Sequence, residues 1–279
     1  MFTGTFKHLV FSIITSHRCW WVVICLWFVQ SPVWATSQDP KQLQPLNHSA
    51  QLEIIRLTSL DWAPYTGATL PNGGETTELL RQVFLDIGYQ LQVDFLPWNN
   101  AVNQVLKGEH GYVAYYPEYP VQDPKLLLSG AIGYSELGLV ELKEKPLLLT
   151  SFLTLANHRF GVVQDYLNMT ELDLLIAAKK LRPRVNRSDK DNVLQVATGE
   201  LDAAVIDKRV LHYLLKYDAE VQAAAAGRVQ FSQSLREHKS LHLVFVDTPQ
   251  NRRLVQKFNQ QLQQRKVQFL PKTPAIKSS

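Results

Sequence analysis

The chain opens on one apolar run and then settles into short amphipathic units. The run, Cys19 to Val29, is broken by Ser31 and Pro32 and followed by Val33-Trp34-Ala35. From Leu52 the pattern changes. Ile54, Ile55 and Leu57 make a short strand that ends in the turn-rich segment Asp61 to Gly67. After the Pro71-Asn72-Gly73-Gly74 loop, Leu79, Leu80, Val83, Phe84 and Ile87 share one helical face. Thr76 or Thr77 is its expected cap, and Gly88 its stop, since glycine accepts the left-handed cap conformation. Leu91, Val93 and Phe95 alternate with polar neighbours as a half-buried strand. Ala101, Val102, Val105 and Leu106 predict a short helix closed by Gly108, and Gly111 to Tyr115 the next strand. Later the pattern recurs: a strand at Phe160 to Val163, a helix with Val193, Leu194, Val196 and Ala197 ending at Gly199, and a buried-type strand, Leu201 to Asp207. A helix carrying Leu211, Leu214 and Leu215, a strand over His242 to Val246, and a last helix with Leu254, Val255, Phe258 and Leu262 complete the series. Strand–helix alternation predicts an α/β fold with parallel pairing, and its appearance in two blocks predicts two lobes.

Charge explains the first run. Lys7 and Arg18 are the sole charged residues before Asp39. A basic start, an apolar stretch shorter than the ~20 residues of a spanning helix, and a small residue at Ala35 read as a secretory signal, residues 1–35, cut after Ala35. The alternative is an uncleaved anchor that borrows Leu9 to Ile14, but Arg18 interrupts that longer span and is costly in lipid. Cys25 follows Val-Val-Ile, without the small residues expected before a lipidated cysteine. Residues 36–50, polar with Pro40 and Pro45, read as a flexible tether. The expected location is the periplasm.

Both cysteines, Cys19 and Cys25, fall within the signal, so the mature chain is expected to have no disulfide, thiol catalyst or cysteine metal site. Without Lys7 and Arg18, 27 of the 29 basic residues face 25 acidic ones, a mature net charge of +2 that gives no electrostatic case for nucleic acid. His238 and His242 are four apart but enter a strand, and no HExxH, G-x-S-x-G or P-loop pattern occurs. No cofactor, metal or catalytic group is therefore expected.

Several segments, in order, resemble the periplasmic solute-binding proteins of family 3, the type II receptors of polar amino-acid ABC transporters. They are Trp62-Ala63-Pro64-Tyr65, the Leu79 to Gly88 helix, Phe95-Leu96-Pro97-Trp98 with Lys107-Gly108, Ser129 to Tyr134, and Phe160 to Gln164. The most similar is Gly199-Glu200-Leu201-Asp202-Ala203-Ala204-Val205-Ile206-Asp207. The resemblance implies a two-lobed type II periplasmic-binding-protein fold, each lobe a mostly parallel sheet flanked by helices, with the ligand cleft between lobes. Residues 51–132 and 247–279 would form lobe 1, and 133–246 lobe 2. It further implies a monomeric protein that captures a small polar solute and serves an inner-membrane ABC permease.

The departures bear on the ligand. Many family members place an arginine after the fourth lobe-1 element to clamp the ligand carboxylate; here Tyr115-Tyr116-Pro117-Glu118-Tyr119-Pro120 has none. Lys125 cannot copy the planar two-point grip of a guanidinium. Asn99-Asn100 stands where relatives often carry a basic residue, and Gly111 replaces a usual aspartate. The expected ligand residues are Trp62, Tyr65, Trp98, Tyr115, Tyr116, Arg187, Ser188 and Asp207. Aromatic faces suit a cation, Asp207 would take an amine, and Arg187 and Ser188 would offer donors before a helix spanning Asp191 to Ala197. Plainer readings stand beside these. Trp62 and Trp98 can simply pack lobe 1, one of Tyr115 and Tyr116 must point away from the cleft, Asp202 reads as a structural pair, and Arg187 as a solvated charge. An enzyme on this scaffold, dehydratase-like, would need a general acid or base, for which Glu118 and Asp207 are the candidates. A sensory binding module is the third alternative.

Overall fold

The computed structural model describes residues 52–269, with side chains as far as Arg265. The signal and tether readings, residues 1–50, lie outside them. The first block runs β1 (Glu53–Ser59), α1 (Glu75–Asp86), β2 (Tyr89–Phe95), α2 (Trp98–Leu106), β3 (Tyr112–Glu118) and β4 (Leu126–Leu128). The second runs β5 (Gly133–Leu142), β6 (Phe160–Val163), α3 (Thr170–Ala177), β7 (Arg184–Asn186), α4 (Asp189–Ala197) and β8 (Ala203–Asp207). It continues through α5 (Lys208–Tyr217), α6 (Ala219–Ala225), β9 (Val229–Phe231) and β10 (Glu237–Val246), and α7 (Pro249–Phe269) follows.

Strand β1 pairs in parallel with both β2 and β3, as strand–helix alternation requires. The strand order is β2-β1-β3-β10-β5-β8-β6-β7, with β4 on β10 and β9 on β5. β10 joins the two regions. Its Glu237 to Leu241 half runs antiparallel to β5, and its His242 to Val246 half antiparallel to β3 and β4. The second region is mixed: β6 is parallel to β7 and β8, while β5 is antiparallel to β8 and β9. The chain crosses between regions at Ser129 to Gly133 and returns along β10. There Ser129 N–H donates to Leu243 O at 2.9 Å, and Ile132 N–H to Leu241 O at 2.8 Å, so the two crossing segments brace each other.

Helix α1 has Gly74 at its cap position, not a threonine. Its first amides instead meet the β1–α1 turn: Glu75 N–H donates to Pro64 O at 3.2 Å and Thr76 N–H to Tyr65 O at 2.9 Å. Gly74 has φ +97°, and a Cβ there would stand 2.5 Å from Tyr65 O, so the junction needs glycine. Thr77 is buried inside the helix and its hydroxyl shares a 2.9 Å hydrogen bond with Tyr116. Asp202 pairs with Arg159 at 2.8 Å, the structural role expected of it. Both His238 and His242 lie within β10.

Candidate functional site

The site is built from the ends of four elements that meet around Trp62. At the β1 exit, Trp62 and Thr66 exchange backbone hydrogen bonds at 2.8 and 3.1 Å, closing a tight turn. That turn stacks Trp62 on Tyr65, with ring centroids 4.6 Å apart at 21°. From the second region come Tyr166, in the loop after β6, and the N-termini of α4 and α5.

At α5, Asp207 is the cap. Its Oδ1 accepts from Arg209 N at 2.7 Å and Val210 N at 2.9 Å. Its Oδ2 accepts from Ser135 Oγ at 2.5 Å and Tyr65 Oη at 3.1 Å. The Tyr119 hydroxyl lies 2.9 Å from Ser135 Oγ, extending the network. Burial raises the Asp207 carboxyl above the ordinary range, and these hydrogen bonds work against that rise. Tyr65 also lies beneath the Arg209 guanidinium, 4.9 Å from its ring centroid, and Arg209 pairs with Glu75. Burial and the adjacent Asp207 charge push the Tyr65 phenol well up.

At α4, Ser188 is the cap, accepting from Asp191 N at 3.1 Å, and the helix begins at Asp189, two residues earlier than expected. Asp189 is 9 % exposed and has no ion-pair partner among the described residues. Burial first, then the Asp207 charge, pushes its carboxyl up to about 7, and a hydrogen bond from the Trp62 side chain opposes the rise. Across the cleft, Glu118 at the end of β3 is also pushed up to about 7 by burial, although Tyr119 N–H donates to it at 2.7 Å and Lys239 lies near. Burial, with Asp189 and Asp61 nearby, holds the Tyr166 phenol well above its ordinary value.

Four contiguous recesses surround this centre, and Tyr166 lines every one. Trp62 lines three, one of them apolar and shared with Trp98 and Glu118. Trp98, Arg187 and Ser188 line the outermost, between the β2–α2 loop and the second region. Asp207 and Asp189 line the deepest. Of the remaining expected residues, Tyr65 stands behind Trp62. Tyr115 packs beside Val105 and Val244 with Trp98 edge-on at 5.6 Å, and Tyr116 lies in the main core. Neither Tyr115 nor Tyr116 lines any of the four recesses, because the alternation of β3 turns one to each packed face of the sheet. Tyr166, Asp189 and Asp61 line these recesses as well and are not among the residues expected from sequence. The signal for Asp189 was the preceding Ser188, since an N-cap puts the next residue in the first helical turn.

The arrangement offers aromatic faces and buried carboxylates to one small volume. Among the described residues no group of three or more His, Cys, Asp or Glu is placed to hold a metal ion, and no helix is long and apolar enough to cross a membrane.

No family model matches the chain, and no curated protein matches it in sequence. Solved structures do match. A histidine kinase sensor domain described as similar to periplasmic binding proteins superposes with TM-score 0.64 at 13% identity, over 78% of this chain and 92% of its own. An amino-acid ABC transporter substrate-binding protein from Streptococcus pneumoniae, bound to L-arginine, gives 0.61 at 13% identity, over 77% and 90%. An ancestral amino-acid-binding protein, a precursor of cyclohexadienyl dehydratase, gives 0.58 at 17% identity, over 77% and 90%. The chain therefore has the type II periplasmic-binding-protein fold, the fold its sequence resemblance implied.

Proposed function

We propose that the protein is a periplasmic, monomeric solute-binding protein that captures a small polar solute, an amine cation rather than a plain amino acid, between lobes 51–132 with 247–279 and 133–246. It would then deliver the solute to an inner-membrane ABC permease. The change of partner along β10 between Leu241 and His242 supports a two-part division, with His242 to Val246 in the sheet of the first lobe. The observation that carries the ligand reading is the cleft lining. Trp62, Trp98 and Tyr166 face buried carboxylates at Glu118, Asp189 and Asp207, whereas Arg187 is exposed at the outer recess. Aromatic faces and carboxylates both favour a cation, and a carboxylate ligand would meet like charge. Ser188 and Arg187 would hold the polar remainder of the solute.

A thermal-stability screen of amino acids, polyamines and other organic cations tests this. Stabilisation by cations, with the solute recovered unchanged, is expected; stabilisation by acidic solutes alone would overturn the cationic reading. An enzymatic reading has one observation in its favour, the Glu118 carboxyl near 7 beside an apolar recess, which suits general acid–base work. Consumption of the stabilising solute in the same screen would select it.

A further inference from the structure

Four carboxylates approach the cleft, and their engagements differ. Asp61 Oδ1 accepts Ala68 N–H at 2.7 Å on the exposed side. Glu118 accepts Tyr119 N–H and has Lys239 near it. Asp207, at the position that would serve a ligand amine, has two donors on each oxygen, which fills its in-plane acceptor directions. A ligand ammonium could reach Asp207 only by displacing Tyr65 or Ser135, or by uncapping α5.

Asp189 has no such set of partners. It is nine-tenths buried and lines two of the recesses, and only the Trp62 side chain and its own backbone N–H act to favour its charged form by hydrogen bonding. Each cation near it is drawn elsewhere. Lys190 Nζ lies 3.0 Å from Asp218 and 2.8 Å from Glu220, Arg209 pairs with Glu75, and Arg187 is exposed. The other charged or titratable groups facing Asp189 are Asp207 from the start of α5, Tyr213 further along α5, Asp61 from the β1 exit, Tyr119 after β3 and Tyr166 from the loop after β6. All are acidic or neutral. A carboxylate withdrawn from water without a cation is unfavourable, and a cation between two aromatic walls relieves it.

We propose that Asp189, rather than Asp207, seats the positive charge of the solute, with Trp62 and Tyr166 as its walls, and that the solute is a compact organic ammonium ion. This rests on the solute-binding reading above and names the group and ligand class within it. A substituted ammonium that spreads its charge over alkyl surface fits these walls best, because an indole and a phenol ring present mostly apolar surface beside the carboxylate.

The probe is tetramethylammonium chloride, titrated into the full exported chain against sodium chloride at equal ionic strength. Tryptophan fluorescence reports directly, because Trp62 and Trp98 are the two tryptophans of residues 52–269 and both line the cleft. A saturable change is expected in the wild type, with affinity falling at least tenfold in Asp189→Asn and by less in Asp207→Asn, each variant first shown to be folded by its melting curve. Calorimetry of the wild type in two buffers at pH 7 gives a readout independent of any variant: seating a cation beside Asp189 should release protons. Undiminished binding by Asp189→Asn, or binding without proton release, overturns the Asp189 assignment and leaves the cationic reading standing. Failure of tetramethylammonium, methylammonium and 1,4-diaminobutane alike to bind the wild type overturns both.

Discussion

Asp189 and Glu118 give the protein a pH slope whose sign follows from burial. Unfolded, both carboxyls ionise in the ordinary carboxylate range; folded, each holds its proton up to about 7. Between those limits the folded state binds more protons than the unfolded one, so stability falls as pH rises through the window. Asp202 acts oppositely. Arg159 holds it down to about 2, so its contribution is present above its unfolded value and is lost as pH falls through 2. The melting temperature of the ligand-free protein should therefore drop from pH 5 to pH 8. Asp189→Asn should flatten that drop and, at pH 8, stabilise the protein by about 2 kcal/mol, because it removes a buried charge while keeping an acceptor for Trp62. Melting curves across that range decide it; an unchanged slope in the variant would place the drop on other groups. Such a gain in stability is the expected counterpart of a group kept for binding. The residues that form the site were partly legible. Trp62 and Trp98 stand out in the sequence because each follows a strand and adjoins a turn. Asp189 and Tyr166 do not, since only tertiary packing brings a helix start and a loop against Trp62.

At the scale of elements, strands and helices with one solvated face were readable, because their apolar period survives in the sequence. That is why β1, α1, β2, α2 and α5 appear where the pattern put them. Strand β5 was not readable. Leu137 to Glu141 are all buried, Gly138 against the Phe231 ring that a Cβ there would strike, so no polar alternation remains to mark it. Glu141 adds a misleading charge there, yet it is buried and satisfied by Leu147 N–H at 2.9 Å and Gln230 at 3.0 Å. Two junctions bear testable loads. Gly74→Ala forces a Cβ onto Tyr65 O at a left-handed φ, so it should cost more than about 2 kcal/mol in urea unfolding and weaken solute binding by shifting the Trp62–Tyr65 turn. Asp207→Ala removes the α5 cap, worth about 1 kcal/mol, and strands the Ser135 and Tyr65 hydroxyls, for a total of about 2–4 kcal/mol. Asp207→Asn keeps the cap and should cost clearly less. Equal losses in the two variants would show that the charge, not the cap, is what α5 needs.

At the scale of the whole molecule, one hydrogen bond and one ion pair tie the β1–α1 segment to α5, Tyr65 to Asp207 and Glu75 to Arg209, with the Arg209 guanidinium also lying over the Tyr65 ring. Both partners on the α5 side lie within three residues of the strand–helix junction after β8, and Tyr119 with Ser135 adds a contact at β5. A buried hydrogen bond contributes about 1 kcal/mol and an exposed ion pair up to about 1. Together they favour the arrangement in which these segments touch by roughly tenfold in population. The double variant Tyr65→Phe with Glu75→Gln should therefore open the protein without unfolding it, seen as a larger radius of gyration in small-angle scattering and an unchanged circular dichroism spectrum. Because this contact engages Asp207 and not Asp189, opening should weaken cation binding only by the lost contact energy, roughly tenfold or less. Superimposable scattering from wild type and double variant would mean that the strands crossing at Ser129 to Gly133 and along β10 hold the regions together by themselves.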